Sequence, residues 1–217
     1  MIKACIFDLD GTLTNTLPTI SCYANGALVK NGFLPYEEER YKYFVGNGAK
    51  TLVARMLEAQ GKMSEENLAC VFEDYNCAYN AAPLDKTEVY DGIFPLLRVL
   101  KERGLKTAVL SNKPDFATVS VVRHFFSDLF DTAHGGREGI ALKPSAEGAL
   151  LLMEELGITD PAEILYVGDT SVDMDTGKSA GFFTVGVLWG FRTEEELRAH
   201  NADAIVSHPL DILAFVK

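Results

Sequence analysis

Tryptophan occurs once in the 217 residues, and cysteine only four times, at Cys5, Cys22, Cys70 and Cys77. No two cysteines form a C-x-x-C pair, and each lies in an apolar or helical stretch. They read as reduced, partly buried thiols of a cytosolic protein. Apolar runs long enough to span a bilayer are missing. The opening stretch "MIKACIFDLD" has one lysine and a short apolar run that meets acid at once, which is neither a leader nor a lipidation motif. A cytoplasmic location and no membrane partner are expected. Positive charge is scarce, with 20 Lys and Arg against 31 Asp and Glu, a net charge of -11. That argues against a nucleic-acid partner, which would need a basic footprint. Attraction for an anionic substrate must then come from a few local groups or a metal. The four histidines, His124, His134, His200 and His208, show no metal-ligand spacing, and His134 is expected to make local hydrogen bonds.

What is present alternates. Short apolar runs at 2–7, 106–110, 129–136, 163–169, 183–187 and 202–207 read as strands. Helical patterns separate them at 91–104, 143–157 and 170–181, the second with Pro144 near its start and Ser145 as a possible cap. This order implies an α/β fold, a Rossmann-like parallel sheet with helices on both faces. Residues 15–83 break the rhythm with helical patterns separated by glycine turns. They read as an inserted helical cap domain, leaving 1–14 and 84–217 as the core domain.

Polar residues gather where the strands end, which is where open parallel sheets bind ligands. In "FDLDGTLTNT" (7–16), Asp8 and Asp10 follow the first strand. At i and i+2 on a strand they share a face and repel. A divalent cation, for which hard oxygen ligands suit magnesium, relieves this. So does a division of labour between an ionised nucleophile and a proton carrier. The alternative is a capped strand end with solvated acids. In "VGDTSVD", Asp169 and Asp173 are either further ligands for the same cation or a helix cap. In "LSNKPD", Ser111 is placed to donate to a phosphoryl oxygen and Asn112 to position substrate, unless the stretch is an ordinary turn. Lys143 precedes Pro144 at an expected helix start, where a cation opposes the helix dipole. An anion held between the two would remove the conflict, and a solvated surface lysine is the plainer reading.

Taken together, D-x-D-G-T, S-N-x-P, K-P and G-D-x-x-x-D at successive strand ends resemble the haloacid dehalogenase-like superfamily over essentially the whole chain. The resemblance implies that Asp8 is a nucleophile forming an aspartyl-phosphate and that Asp10 is the acid and base. It implies Mg2+ held by Asp8, Asp10 through its carbonyl, and Asp169, with Asp173 and Thr12 supporting. Ser111, Asn112 and Lys143 become the phosphate-binding group. The second aspartate favours phosphatase over dehalogenase chemistry. "FVGNGAKTLVARML", "LFDTAHGG" and "VGVLWGFRTEEELRAHNADAIVSHPLDIL" resemble the phosphoglycolate phosphatase branch, implying a phosphomonoesterase for a small phosphorylated metabolite, 2-phosphoglycolate first.

"GNGAKT" (46–51) lacks the spacing of a nucleotide phosphate loop. It reads as a cap loop opening a helix, with Gly48, Lys50 and Arg55 as residues facing substrate. Three positions depart from the branch: Asn15-Thr16 where D-S or D-T is usual, "KPSA" without its second proline, and Arg137 where an acid is common. A sugar-phosphate mutase (β-phosphoglucomutase-like), a pyrophosphatase and a non-catalytic phosphometabolite-binding regulator remain as alternatives. A monomer or homodimer is expected.

Overall fold

The computed structural model describes residues 1–216. The chain divides into two compact units, one of residues 1–15 and 89–217, the other of residues 16–88. The second crossing falls later than 83/84 for a local reason. Thr19 donates its hydroxyl to the Asp85 carbonyl and lies 3.0 Å from the Thr87 hydroxyl, so the 85–87 turn is tied to the helical unit.

The first unit carries a six-stranded sheet. Its strands are β1 (Ala4–Phe7), β4 (Lys106–Pro114), β5 (Thr132–Gly136), β6 (Ile164–Gly168), β7 (Phe183–Val187) and β8 (Ala204–Val206), in the spatial order β5-β4-β1-β6-β7-β8. Every pairing is parallel. The two remaining strands, β2 (Thr14–Asn15) and β3 (Glu88–Val89), form a separate ribbon.

β1 is central and buried over its whole length, which is why "ACIF" is an unbroken apolar run rather than an alternating one. Side chains still alternate between faces. Ala4, Ile6, Ala108, Leu110, Ile164 and Tyr166 form one core layer with Ala149 and Leu152 of α7 (Glu147–Glu155). On the other face the Phe7 ring meets Phe130, which packs edge to face with Phe126 of α6 (Asp115–Phe126), which in turn meets Phe94 of α5 (Ile93–Glu102). Helices therefore cover both faces. The remaining helices of this unit are α8 (Ser171–Ala180) and α9 (Glu194–Ala199).

Two expectations need correction here. The second core strand does not stop at Leu110 but runs on to Pro114, so Ser111 and Asn112 lie within it. The helix expected from 143 begins at Glu147, with Ala146 at its cap, and Ser145 only accepts a bond from the Glu147 N–H. Lys143 is thus in a loop, not at a helix terminus.

The second unit is helical: α1 (Leu17–Lys30), α2 (Tyr41–Phe44), α3 (Ala49–Glu58) and α4 (Glu65–Ala81). Ser64 caps α4 by accepting from the Asn67 N–H. Tyr36, Tyr41 and Phe44 pack edge to face in its interior. Cys5 is buried, but Cys22, Cys70 and Cys77 are exposed, which corrects the expectation of partly buried thiols. They sit on solvent faces of α1 and α4, where the helical pattern offers a cysteine no apolar partner. No helix among the described residues is long and apolar enough to cross a membrane.

Candidate active site

The chain runs from β1 to β4 on one side and from β4–β5 back to β6 on the other side of β1. This reversal of strand order opens a crevice at the carboxyl ends of the strands. Phe7 is in register with both Val109 and Val167, so the next residues to emerge together are Asp8, Leu110 and Gly168. Chain segments far apart in sequence deliver their polar residues to one place.

Lys143 organises the centre. Its ammonium donates to Asp8 Oδ1 at 2.6 Å and to Asp173 Oδ1 at 2.7 Å, and all three side chains are at least nine-tenths buried. The solvated surface lysine and the helix-terminus anion site are both replaced by a buried ion-paired cation. Burial works to lower the Lys143 pKa but is outweighed by Asp173 and Asp8, which hold it well above its ordinary value. Asn112 explains the loop's position. Its Nδ2 donates to the Lys143 carbonyl at 2.9 Å and its Oδ1 accepts from the Lys143 N–H at 2.8 Å. With each end of its amide bonded to that backbone, Asn112 positions Lys143. Ser111 Oγ accepts from the Lys113 N–H at 3.2 Å and keeps its hydroxyl proton to donate.

Asp8, Asp169 and Asp173 each offer an oxygen, and these atoms lie within 4.8 Å of one another. Asp169 is fixed from two sides. Oδ1 accepts from the Thr12 hydroxyl at 3.1 Å, and Oδ2 accepts from the Phe191 N–H at 2.7 Å. A Cβ at Gly11 (φ 97°) or at Gly190 would collide with the Asp169 carboxylate, so both glycines are required by close approach. Thr170, not Asp169, caps α8, and Asp173 Oδ2 accepts from its N–H and hydroxyl.

The charges in this cluster do not balance. Ionised together, these three buried carboxylates would outweigh the one ammonium, which pairs with two of them. Burial, then Asp173, push the Asp8 carboxyl well above its usual range, with Lys143 opposing and Asp169 adding. Asp169 is raised to about 7 by burial and Asp173, against the Phe191 and Thr12 hydrogen bonds. A divalent cation among these oxygens supplies the missing charge, so the residues present fit a metal ion.

Asp10 stands apart from that trio. Its carboxylate accepts from Lys113 Nζ, at 3.0 Å to Oδ1 and 3.2 Å to Oδ2, and the Lys113 side chain is buried. Asp8 and Asp10 therefore coexist because each faces its own lysine. Lys113 was not singled out by sequence reasoning. The signal was there, a lysine in "SNKP" at a strand end beside a D-x-D motif. Trp189 donates its indole N–H to the Thr12 carbonyl at 2.9 Å and braces the loop after β1. His134 pairs with Glu155 at 2.7 Å.

Of the residues expected in the helical unit, Gly48 caps α3 with φ 85° and Lys50 is exposed on that helix. Arg55 donates to the Phe44 and Val45 carbonyls and to Asn47 Oδ1. Its guanidinium braces the loop before α3.

Residues 5–187 match the family of haloacid dehalogenase-like hydrolases. The chain is 32% identical to a phosphoglycolate phosphatase of Haemophilus influenzae over 97% of its own length and 96% of the relative's. It is 33% identical to an N-acetylmuramic acid 6-phosphate phosphatase of Pseudomonas aeruginosa, over 98% and 93%. Among solved structures, a Lactobacillus delbrueckii subsp. bulgaricus protein with a provisional phosphoglycolate phosphatase name superposes with a TM-score of 0.94 at 28% identity, over 99% of this chain and 98% of that one. The chain belongs to the haloacid dehalogenase-like hydrolases.

Proposed function

We propose that this protein is a magnesium-dependent phosphomonoesterase that works through an aspartyl-phosphate on Asp8, with 2-phosphoglycolate as its first substrate. The observation that carries the reading is the Lys143 ammonium between Asp8 and Asp173, in a carboxylate cluster short of positive charge. Bound magnesium would be held by Asp8 and Asp169, with the Asp10 carbonyl and Asp173 completing or supporting the set, and would offset charge on the phosphoryl oxygens.

The remaining chemistry is done by this chain's residues. An Asp8 carboxylate oxygen attacks phosphorus, and the bond from phosphorus to the ester oxygen breaks. The leaving oxygen takes a proton from Asp10. Asp10 then takes a proton from water, whose oxygen attacks the aspartyl-phosphate. The Asp8–phosphorus bond breaks and inorganic phosphate is released. Lys143 and the Ser111 hydroxyl hold the phosphoryl oxygens, while Asn112 and Lys113 hold Lys143 and Asp10 in place.

The substrate assignment is supported by the phosphoglycolate phosphatase relative. The relative that acts on N-acetylmuramic acid 6-phosphate favours a sugar phosphate as the second reading. Phosphate release from 2-phosphoglycolate, N-acetylmuramic acid 6-phosphate, hexose phosphates, nucleoside monophosphates and pyrophosphate, with magnesium and with chelator, separates them. A dominant magnesium-dependent rate on 2-phosphoglycolate supports the proposal, and preference for a sugar phosphate moves the assignment there. Movement of phosphoryl between hexose hydroxyls without release would replace hydrolysis by mutase chemistry. Unchanged activity in Asp8→Asn would remove the aspartyl-phosphate.

A further inference from the structure

Outside the carboxylate cluster, one pair of reactive side chains is set together by its surroundings. Cys22, on α1, has its sulfur 3.1 Å from Lys86 Nζ, and both residues are exposed. The contact is between two structured segments. Lys86 has φ 53°, a conformation that costs a non-glycine residue energy and persists only where neighbours hold it. Here they do. The residues on either side are tied to α1: Asp85 by the Thr19 hydroxyl at its carbonyl and by the Tyr23 hydroxyl at its carboxylate, and Thr87 by the Thr19 hydroxyl. Thr19 and Tyr23 flank Cys22 on one helical turn. The scaffold thus presents an amine to a thiol across 64 residues of sequence.

We propose that Cys22 and Lys86 form a reversible sulfenamide cross-link when the protein meets hydrogen peroxide. The thiolate attacks peroxide, giving a sulfenic acid and hydroxide, with sulfur oxidised and peroxide reduced. The Lys86 amine then attacks that sulfur, a nitrogen–sulfur bond forms, and water leaves with one amine proton. One peroxide is consumed and two waters are formed in all. A dithiol would reverse the link by attacking sulfur and releasing the amine. The cross-link ties α1 to the segment through which the chain leaves the helical unit, since Lys86 stands two residues before its last residue, Glu88.

The test is peptide mapping of the full-length protein after brief peroxide treatment and quenching. The expected product joins the Cys22 and Lys86 peptides with a mass two hydrogens below their sum. It should be absent from Lys86→Arg and Cys22→Ser and should disappear with dithiothreitol. Cys70, exposed on α4, is the internal reference for oxidation without a lysine cross-link. Three results would overturn the proposal: Cys22 passing to sulfinic acid in step with Cys70, a link that carries an additional oxygen, or the same product in Lys86→Arg. Neither substitution touches the carboxylate cluster, so phosphatase activity reports separately on folding.

Discussion

The Asn112 carboxamide clasps the Lys143 peptide unit from both sides, donating to its carbonyl and accepting from its N–H. A residue on a sheet strand thereby sets a loop 31 residues away, and with it the ammonium that faces Asp8. Asn112→Ala leaves both backbone groups buried without these partners, at a cost of about 2–3 kcal/mol. A displaced Lys143 should also lower kcat/KM roughly 100-fold. Thermal melts and steady-state kinetics on one preparation measure both effects. Full activity in a folded Asn112→Ala protein would remove the positioning role.

Lys113→Met should act on the chemical step. The Lys113–Asp10 pair orients the side chain assigned to move protons, and such groups contribute on the order of 10²- to 10⁴-fold. We expect kcat to fall roughly 100-fold with KM nearly unchanged, and Lys113→Arg to recover part of the loss. A rise in KM alone would instead place Lys113 in substrate binding.

Gly190→Ala tests the packing of Asp169. The added methyl group enters the space of its carboxylate, which is pinned between Thr12 and Phe191. Overpacking of this kind costs about 1–3 kcal/mol. Displacing the carboxylate should also weaken magnesium binding about tenfold or more, read by titration calorimetry.

Metal should stabilise the fold. Three buried carboxylates facing one lysine relax when a divalent cation joins them. At a magnesium concentration 100 times its Kd the gain is about 2.7 kcal/mol. A rise in melting temperature of roughly 5 °C over a chelator-treated sample is expected. Asp169→Asn should shrink it. An equal rise in sodium chloride of matched ionic strength would attribute the effect to screening.

Asp203 gives a pH signature remote from the cluster. Burial pushes its carboxyl up, but hydrogen bonds from Lys178 and Thr184 outweigh this and hold it below its ordinary value. A carboxyl depressed in the folded state contributes stability above its unfolded pKa and loses it as pH falls through the folded value. Asp203→Asn should therefore cost about 1 kcal/mol at pH 7, with the gap closing below about pH 4. Urea midpoints at pH 7 and pH 3 measure it.

The strand at Phe183–Val187 and the helical character of 15–83 were legible because apolar periodicity and glycine punctuation are local signals. Boundaries near the site were less so. "KPSAEGALLLMEELG" looks helical from its first residues, yet Lys143 is drawn away from α7 by Asp8, Asp173 and Asn112, partners at least 30 residues distant. "SNKP" looks like a turn, yet it prolongs β4 beside β5, and the strand register shifts between Leu110 and Pro114 to accommodate it.

By itself the sequence determined the alternation of strands and helices, the order of the acidic and basic motifs, and the gathering of Asp8, Asp10, Ser111, Asn112 and Asp169 at one sheet edge. These follow from side-chain periodicity and from the rule that parallel strands deliver their carboxyl ends to one side. Only the tertiary structure decided which cation each carboxylate faces, that Asn112 serves Lys143, that Lys113 holds Asp10, and that Cys22 meets Lys86. Those pairings span 30 to 135 residues of chain, and they form because burial makes an unpaired charge or amide costly, a penalty that exists only once the chain has folded.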